Sequence, residues 1–282
     1  MPFVLVGAFA AALVGRYLPE SAISRWMPRR RLPAVLVGCL FGFVAPVCDC
    51  GVIPLARRLA AKGVPWHAVV AFVLAAPVVN PVVLLATAVA FQGDWRVVAL
   101  RASMTLSVAA SIGLLTSALA ARARGLATAL PPIGGGAVDL APTPSARAVP
   151  ALLAHATDEY FEVIFFVVLG ALFTAAAQTL VPRADLTAVG GHPVGSIVTL
   201  MPIATLLSIC SEADAFVARA FATTFSLGAV LAFMTIGQIV DLRNGLLLLR
   251  TLGVQLVLLI VVVSYLLVFV EALAINRLVP GL

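Results

Sequence analysis

Charge is what this 282-residue chain has least of: Lys, Arg, Asp and Glu make up only 11% of it, against 62% hydrophobic residues. Soluble domains run near a quarter charged and about half apolar. So few charged side chains cannot cover this much apolar surface in water, which excludes an ordinary soluble globule as well as a disordered chain. Cysteine is scarce too, at four residues, which argues against a disulfide-stapled secreted fold. The three histidines, His67, His155 and His192, lack the His-x-x-x-His or carboxylate spacing of a metal site. No Gly-rich phosphate loop, Gly-x-Ser-x-Gly elbow or His-Glu-x-x-His is present, so the chain carries no ATPase of its own. These absences argue against an enzyme and call for no resident cofactor.

What is present is aliphatic, since aromatics stand at an ordinary 7%. The chain reads as an integral membrane protein whose first partner is the lipid bilayer. Its formal net charge of +6 does not point to nucleic acid. The basic residues come in short groups between apolar runs, as at Arg29-Arg30-Arg31, Arg57-Arg58 and Arg122 with Arg124. That is the distribution of residues that face lipid headgroups and orient helices.

A bilayer core of about 30 Å needs about 20 apolar residues in a helix. Charge-free runs at 102–121, 163–182, 220–240 and 251–270 meet that length. The run 63–93 exceeds it, 186–211 opens on a Gly-Gly-His-Pro turn, and the shorter runs 2–15 and 32–48 complete the set. The expected fold is therefore all-α: a polytopic transmembrane helical bundle of about eight spans, some of them broken. Residues 122–150, with Pro131-Pro132, Gly134-Gly135-Gly136 and Pro142-Thr143-Pro144, read as a linker. They separate a first transmembrane half, 1–121, from a second, 151–282. Basic residues divide evenly between alternate loops, so they do not set the orientation.

The halves share an internal pattern. In the first, an apolar run ends in Pro46-Val47-Cys48-Asp49-Cys50-Gly51, and the next span carries Pro77-Val78-Val79-Asn80-Pro81. In the second, a run ends in Cys210-Ser211-Glu212-Ala213-Asp214, and the next ends in Gly237-Gln238-Ile239-Val240-Asp241, then Arg243-Asn244. Each half thus has a Cys-and-acid element followed, one span later, by a polar helix break. Duplicated units with matching interruptions point to a transporter with its site between the halves.

The chemistry of the exceptions narrows the candidates. Thiolates are soft ligands for zinc, copper(I) or trivalent arsenic, so Cys48, Cys50 and Cys210 form a candidate three-sulfur pocket for a transported metal or metalloid. Residues i and i+2 lie on different helical faces, so Cys48 and Cys50 converge only where the backbone leaves regular helix. Gly51 and Pro54 are the expected source of that irregularity. Cys39, on a plain apolar run, reads as packing. Acids at membrane depth are costly and by default line a cavity or meet a partner, which singles out Asp49, Glu212, Asp214 and Asp241. Asp214 and Arg219 are five apart, too far round a helix for an ideal pair, so no local neutralisation is expected. Pro77 and Pro81 remove two amide donors in mid-run and expose carbonyls, and Asn80 adds an amide, which makes a substrate path.

With these residues in view, the sequence resembles the predicted permease family UPF0718, or DUF318, which includes the ArsP organoarsenical efflux permeases. The resemblance rests on Pro46-Val47-Cys48-Asp49-Cys50-Gly51-Val52-Ile53-Pro54, on Ala75 to Leu84, on Cys210-Ser211-Glu212-Ala213-Asp214-Ala215-Phe216, and on Gly228 to Met234 with Asp241, Arg243 and Asn244. It implies a multi-pass protein of the bacterial cell membrane with a permease role, and a possible second small membrane-protein subunit. Gly237-Gln238-Ile239 departs from the expected Gly-Pro-Met. Two other readings compete: an intramembrane thiol oxidoreductase cycling Cys48 and Cys50, and a non-transporting subunit whose partner does the chemistry.

Overall fold

The computed structural model describes residues 28, 30–44, 49–61, 63–122, 172, 192–211, 213–241, 245, 248–249 and 254–278. Among these the regular structure is helical, with no strand. The helices are α1 (Arg31–Val44), α2 (Asp49–Ala61), α3 (Trp66–Val79), α4 (Pro81–Ala90), α5 (Trp95–Arg122), α6 (Pro193–Leu207), α7 (Asp214–Phe221), α8 (Leu227–Ile239) and α9 (Val254–Leu278). The expected span 2–15, nearly all of 163–182 and the linker beyond Arg122 lie outside the described residues.

Two helices form the centre. Along α3 all of Ala68–Phe72 and Leu74–Val79 are buried, and along α8 every residue from Gly228 to Ile239 is buried. A helix that is apolar all round must be enclosed on all sides, and the neighbours supply the enclosure. α1 and α5 pack on α3, while α6 and α9 pack on α8. The two central helices also touch each other. The outer helices show the complementary pattern. On α9, Val254, Leu258, Val262, Leu266 and Val270 repeat every four residues and are all more than half exposed, and Leu32, Leu36 and Leu40 do the same on α1. Among the described residues three helical stretches, Trp66–Ala90, Trp95–Leu119 and Val254–Leu278, are long and apolar enough to cross a membrane.

Close approach between helices depends on small residues, and the small contacts come in matched pairs. A Cβ on Gly42 of α1 would stand 2.7 Å from the Ala76 Cα of α3. A Cβ on Gly237 of α8 would stand 3.2 Å from the Ala204 Cβ of α6. Similarly, Gly113 of α5 lies against the His67 carbonyl of α3, and Gly228 of α8 lies against the Ala272 carbonyl of α9.

The breaks are built locally. Asn80 leaves the helical region (φ −56°, ψ 131°) and its side chain accepts a hydrogen bond from the Val82 amide, while Pro81 takes the first position of α4, where its missing N–H costs nothing. Pro77 sits inside α3. Further along the chain, Ser208 ends α6 in the left-handed region (φ 45°, ψ 47°). The Cys210 carbonyl then accepts from the amides of Ala213 and Asp214 and starts α7. One expectation is corrected: Gly51 and Pro54 do not break the chain but lie inside α2. A proline there removes one ladder bond, and α2 is held by packing on α3 through the buried Val52, Ile53, Leu55, Ala56 and Leu59.

Candidate functional site

The most unusual side chain in the interior is Arg101, on α5, with 0% exposure. A guanidinium is always charged, so its burial demands partners. It has two. Nη2 donates to Oδ2 of Asp214, 2.6 Å away and itself 2% exposed. Nη1 donates to the Thr87 hydroxyl at 2.7 Å. That hydroxyl in turn donates to the Val83 carbonyl at 2.8 Å, which fixes its acceptor lone pair toward Arg101. Breaking a buried pair by removing one member costs about 3–5 kcal/mol, because a charge is left without compensation.

Gln238 closes the network from α8. Its Nε2 donates to Asp214 Oδ2 at 2.9 Å and to the Ile209 carbonyl at 3.2 Å. Both neighbours are acceptors, which fixes the amide orientation. The residue thereby ties the unwound stretch after α6 to the central helix. Arg101, Thr87, Asp214 and Gln238 come from α5, α4, α7 and α8, so the broken helices of both parts of the chain meet at one carboxylate. On the rim of this contact, the Arg219 guanidinium lies over the Phe91 ring, 5.8 Å from its centroid, joining α7 to the end of α4.

Several buried polar atoms here have no partner among the described residues: Asp214 Oδ1, Gln238 Oε1, Arg101 Nε, Ser211 Oγ and Thr235 Oγ1. Buried polar groups are normally paired. Unpartnered donors and acceptors on the network's own residues, Arg101, Asp214 and Gln238, are what a polar solute, or water, would satisfy.

The residues expected from sequence divide three ways. Asp214 is central, and it is neutralised by Arg101 at a separation of 113 residues rather than by Arg219. Pro77, Asn80, Pro81 and Asp241 lie at the ends of the central helices, with Asn80 3% and Asp241 2% exposed. Cys210 is half-buried at the unwound stretch and Cys39 is buried in the core; neither is in a disulfide. Asp49 and Cys50 open α2, and only their backbone is described. Cys48, Glu212 and Asn244 lie outside the described residues. Among the described residues no group of three or more His, Cys, Asp or Glu stands together as a metal site. Arg101, Thr87 and Gln238 are additions to the expected set. Arg101 bounds an apolar run and Gln238 stands in a motif that departs from the resemblance, and those are the only traces they leave in the sequence.

Comparison with known proteins agrees with the membrane reading. The family model ArsP_1, described as a predicted permease, matches residues 1–277. The UPF0718 protein YcgR of Bacillus subtilis is 39% identical over 272 residues, covering 96% of this chain and 90% of the relative. A protein of Streptococcus mutans, named as a putative two-component membrane permease complex subunit, is 32% identical over 276 residues, covering 98% of this chain and 91% of the relative. No solved structure matches.

Proposed function

Because the chain belongs to the ArsP_1 family of predicted permeases, we propose that it is a multi-pass transporter of the bacterial cell membrane, rather than an enzyme, and that it carries a small thiophilic solute such as a metal ion, a metalloid or an organoarsenical. The observation that carries the transport reading is the network around Asp214. Charged groups at membrane depth are retained where they serve a path, and this network joins helix breaks and leaves donors and acceptors unpartnered. In the proposed arrangement Cys48, Cys50 and Cys210 present sulfur to the solute. Asp49, Glu212, Asp214 and Asp241 balance its charge, and Pro77, Asn80, Pro81 and Asn244 shape the path.

The proposed bundle is two related halves. The first residues of α1 and α6 are 162 apart, and those of α3 and α8 are 161 apart. The same offsets relate Gly42 to Ala204 and Ala76 to Gly237, so each close contact recurs with its glycine on the opposite helix. They also relate Cys48 to Cys210, and Asn80 to Asp241. Each correspondence supports a repeat.

The test is flux into or out of sealed vesicles, with arsenicals and soft metal ions as probes. The double substitution Cys48→Ser, Cys50→Ser is expected to abolish flux while the protein is still produced at the normal level. Undiminished flux in that variant would overturn the thiol mechanism. A second reading is favoured by the printed name of the Streptococcus relative: this chain works as one subunit of a two-component permease. Stable co-purification with a second small membrane protein, and flux only when both are present, is its expected result.

A further inference from the structure

A second ionisable group lies in a helix interior, away from the Asp214 network. Glu271 is on α9, and its Oε1 meets the Ser107 hydroxyl of α5, a residue 164 positions earlier. Its other oxygen, Oε2, is buried without a hydrogen-bond partner among the described residues. On the multi-pass reading proposed above, both residues lie within the hydrocarbon. Ser107 is the middle residue of the stretch Trp95–Leu119. Glu271 is five residues past the middle of Val254–Leu278, an axial offset of about 7 Å against a half-thickness of about 15 Å. Its neighbour Val270 is 60% exposed and belongs to the aliphatic outer stripe of α9.

The hydrogen atoms decide what this pair is. A serine hydroxyl has one hydrogen to donate and two lone pairs to accept. Ser107 Oγ lies within donor distance of two acceptors, the Met104 carbonyl at 2.9 Å and Glu271 Oε1. Were Glu271 a carboxylate, one hydrogen would serve both, Oε2 would have none, and a full charge would border lipid. Among the described residues no cation offsets it. On α5, Arg101 is committed to Asp214 and Thr87, and Arg96 and Arg122 stand at the ends of the helix. The other described helices packed on α9, α6 and α8, contain no Asp, Glu, Lys, Arg or His. On α9 itself the other charged residue is Arg277, six positions on and across the helix, and the Tyr265 hydroxyl is paired with Thr205. As a carboxylic acid, Glu271 donates to Ser107 Oγ, Ser107 donates to the Met104 carbonyl, and each hydrogen has one acceptor.

The geometry points to Glu271 as a proton-binding site within the bilayer, whose bound proton fastens α5 to α9. Loss of the proton leaves a carboxylate that cannot donate to Ser107 and that hydrocarbon does not solvate. The seam then opens toward water. Because α5 and α9 belong to different halves of the proposed repeat, proton binding and release is coupled to their relative movement.

The experiment uses full-length protein in lipid vesicles and dicyclohexylcarbodiimide, an apolar reagent that adds a protonated carboxyl O–H across one of its C=N bonds without a leaving group. Peptide mass spectrometry is expected to find the adduct on Glu271. Labelling should decline as the medium is made alkaline and be lost in Glu271→Gln. That variant keeps a donor for Ser107 and is expected to fold and purify normally. In Ser107→Ala the adduct should persist, with its decline moved along the pH axis. An unlabelled Glu271 at every pH, or a label with no pH dependence, overturns the proton site. Labelling needs no transport, so it can succeed when every solute flux assay fails, and its failure leaves the permease reading standing.

Discussion

Asp214 and Arg101 illustrate what a single side chain can commit an interior to. With both present the pair is satisfied at 2.6 Å; with one removed, an uncompensated charge remains at a site less than 3% exposed. Arg101→Met is therefore expected to destabilise the protein by about 3–5 kcal/mol. The double variant Arg101→Met, Asp214→Leu should recover much of that loss, since an apolar replacement of a buried pair is often neutral. Thermal unfolding in detergent checks both, and flux should stay absent in the double variant if the pair serves the path. Asn80→Ala removes one cap bond, to the Val82 amide, and is expected to cost about 1 kcal/mol. Asp214 and Asn80 were legible in the sequence because an acid or amide interrupting an apolar run is costly wherever it lies. Arg101 and Glu271 were not. Searching for charge-free runs ends a span at its first charge, so 102–121 starts one residue after Arg101 and 251–270 stops one residue before Glu271. Both lie inside helices, and what makes them tolerable, Asp214 and Ser107, stands more than a hundred residues away in the chain.

The helices themselves were easier to read than their ends. Apolar runs placed α3, α5, α8 and α9, and the expected break at Asn80-Pro81 divides one long run into α3 and α4. The break expected at Gly51 and Pro54 fails because residue type alone does not weigh packing: α2 keeps its helix through both while it buries one face on α3. Ser208 could not be foreseen, since a left-handed serine has no marker in sequence. Helix contacts make their own prediction. Gly228 lies against the Ala272 carbonyl and its amide donates a hydrogen bond to Oδ1 of Asn276 at 2.8 Å. Gly228→Ala forces α8 and α9 apart, and a cost of about 1–3 kcal/mol is expected. Gly63→Ala is not a matching control, because Gly63 has φ 85° and is strained by any side chain. Ala220→Gly, on the exposed face of α7, is the better comparison, with a loss of about 1 kcal/mol from propensity alone. Unfolding midpoints of the two variants should differ in that order.

For the whole molecule, the ties that matter run between segments distant in sequence. α3 meets α8, α4 meets α7, and α5 meets both α8 and α9. The Arg101–Asp214 pair lies at the meeting point and bridges 113 residues. A contact of this kind makes peptide continuity between its ends redundant: among the described residues, the two pieces carry opposite buried charges that compensate each other. Residues 1–122 and 151–282, made in one cell as two polypeptides, are therefore expected to assemble and co-purify through an affinity tag on either one. Arg101→Met in the first piece should abolish their association, and Asp214→Arg in the second should not restore it, because an apolar stem cannot answer a buried cation. In that sense the buried ion pair is an address by which one part of the chain recognises the other.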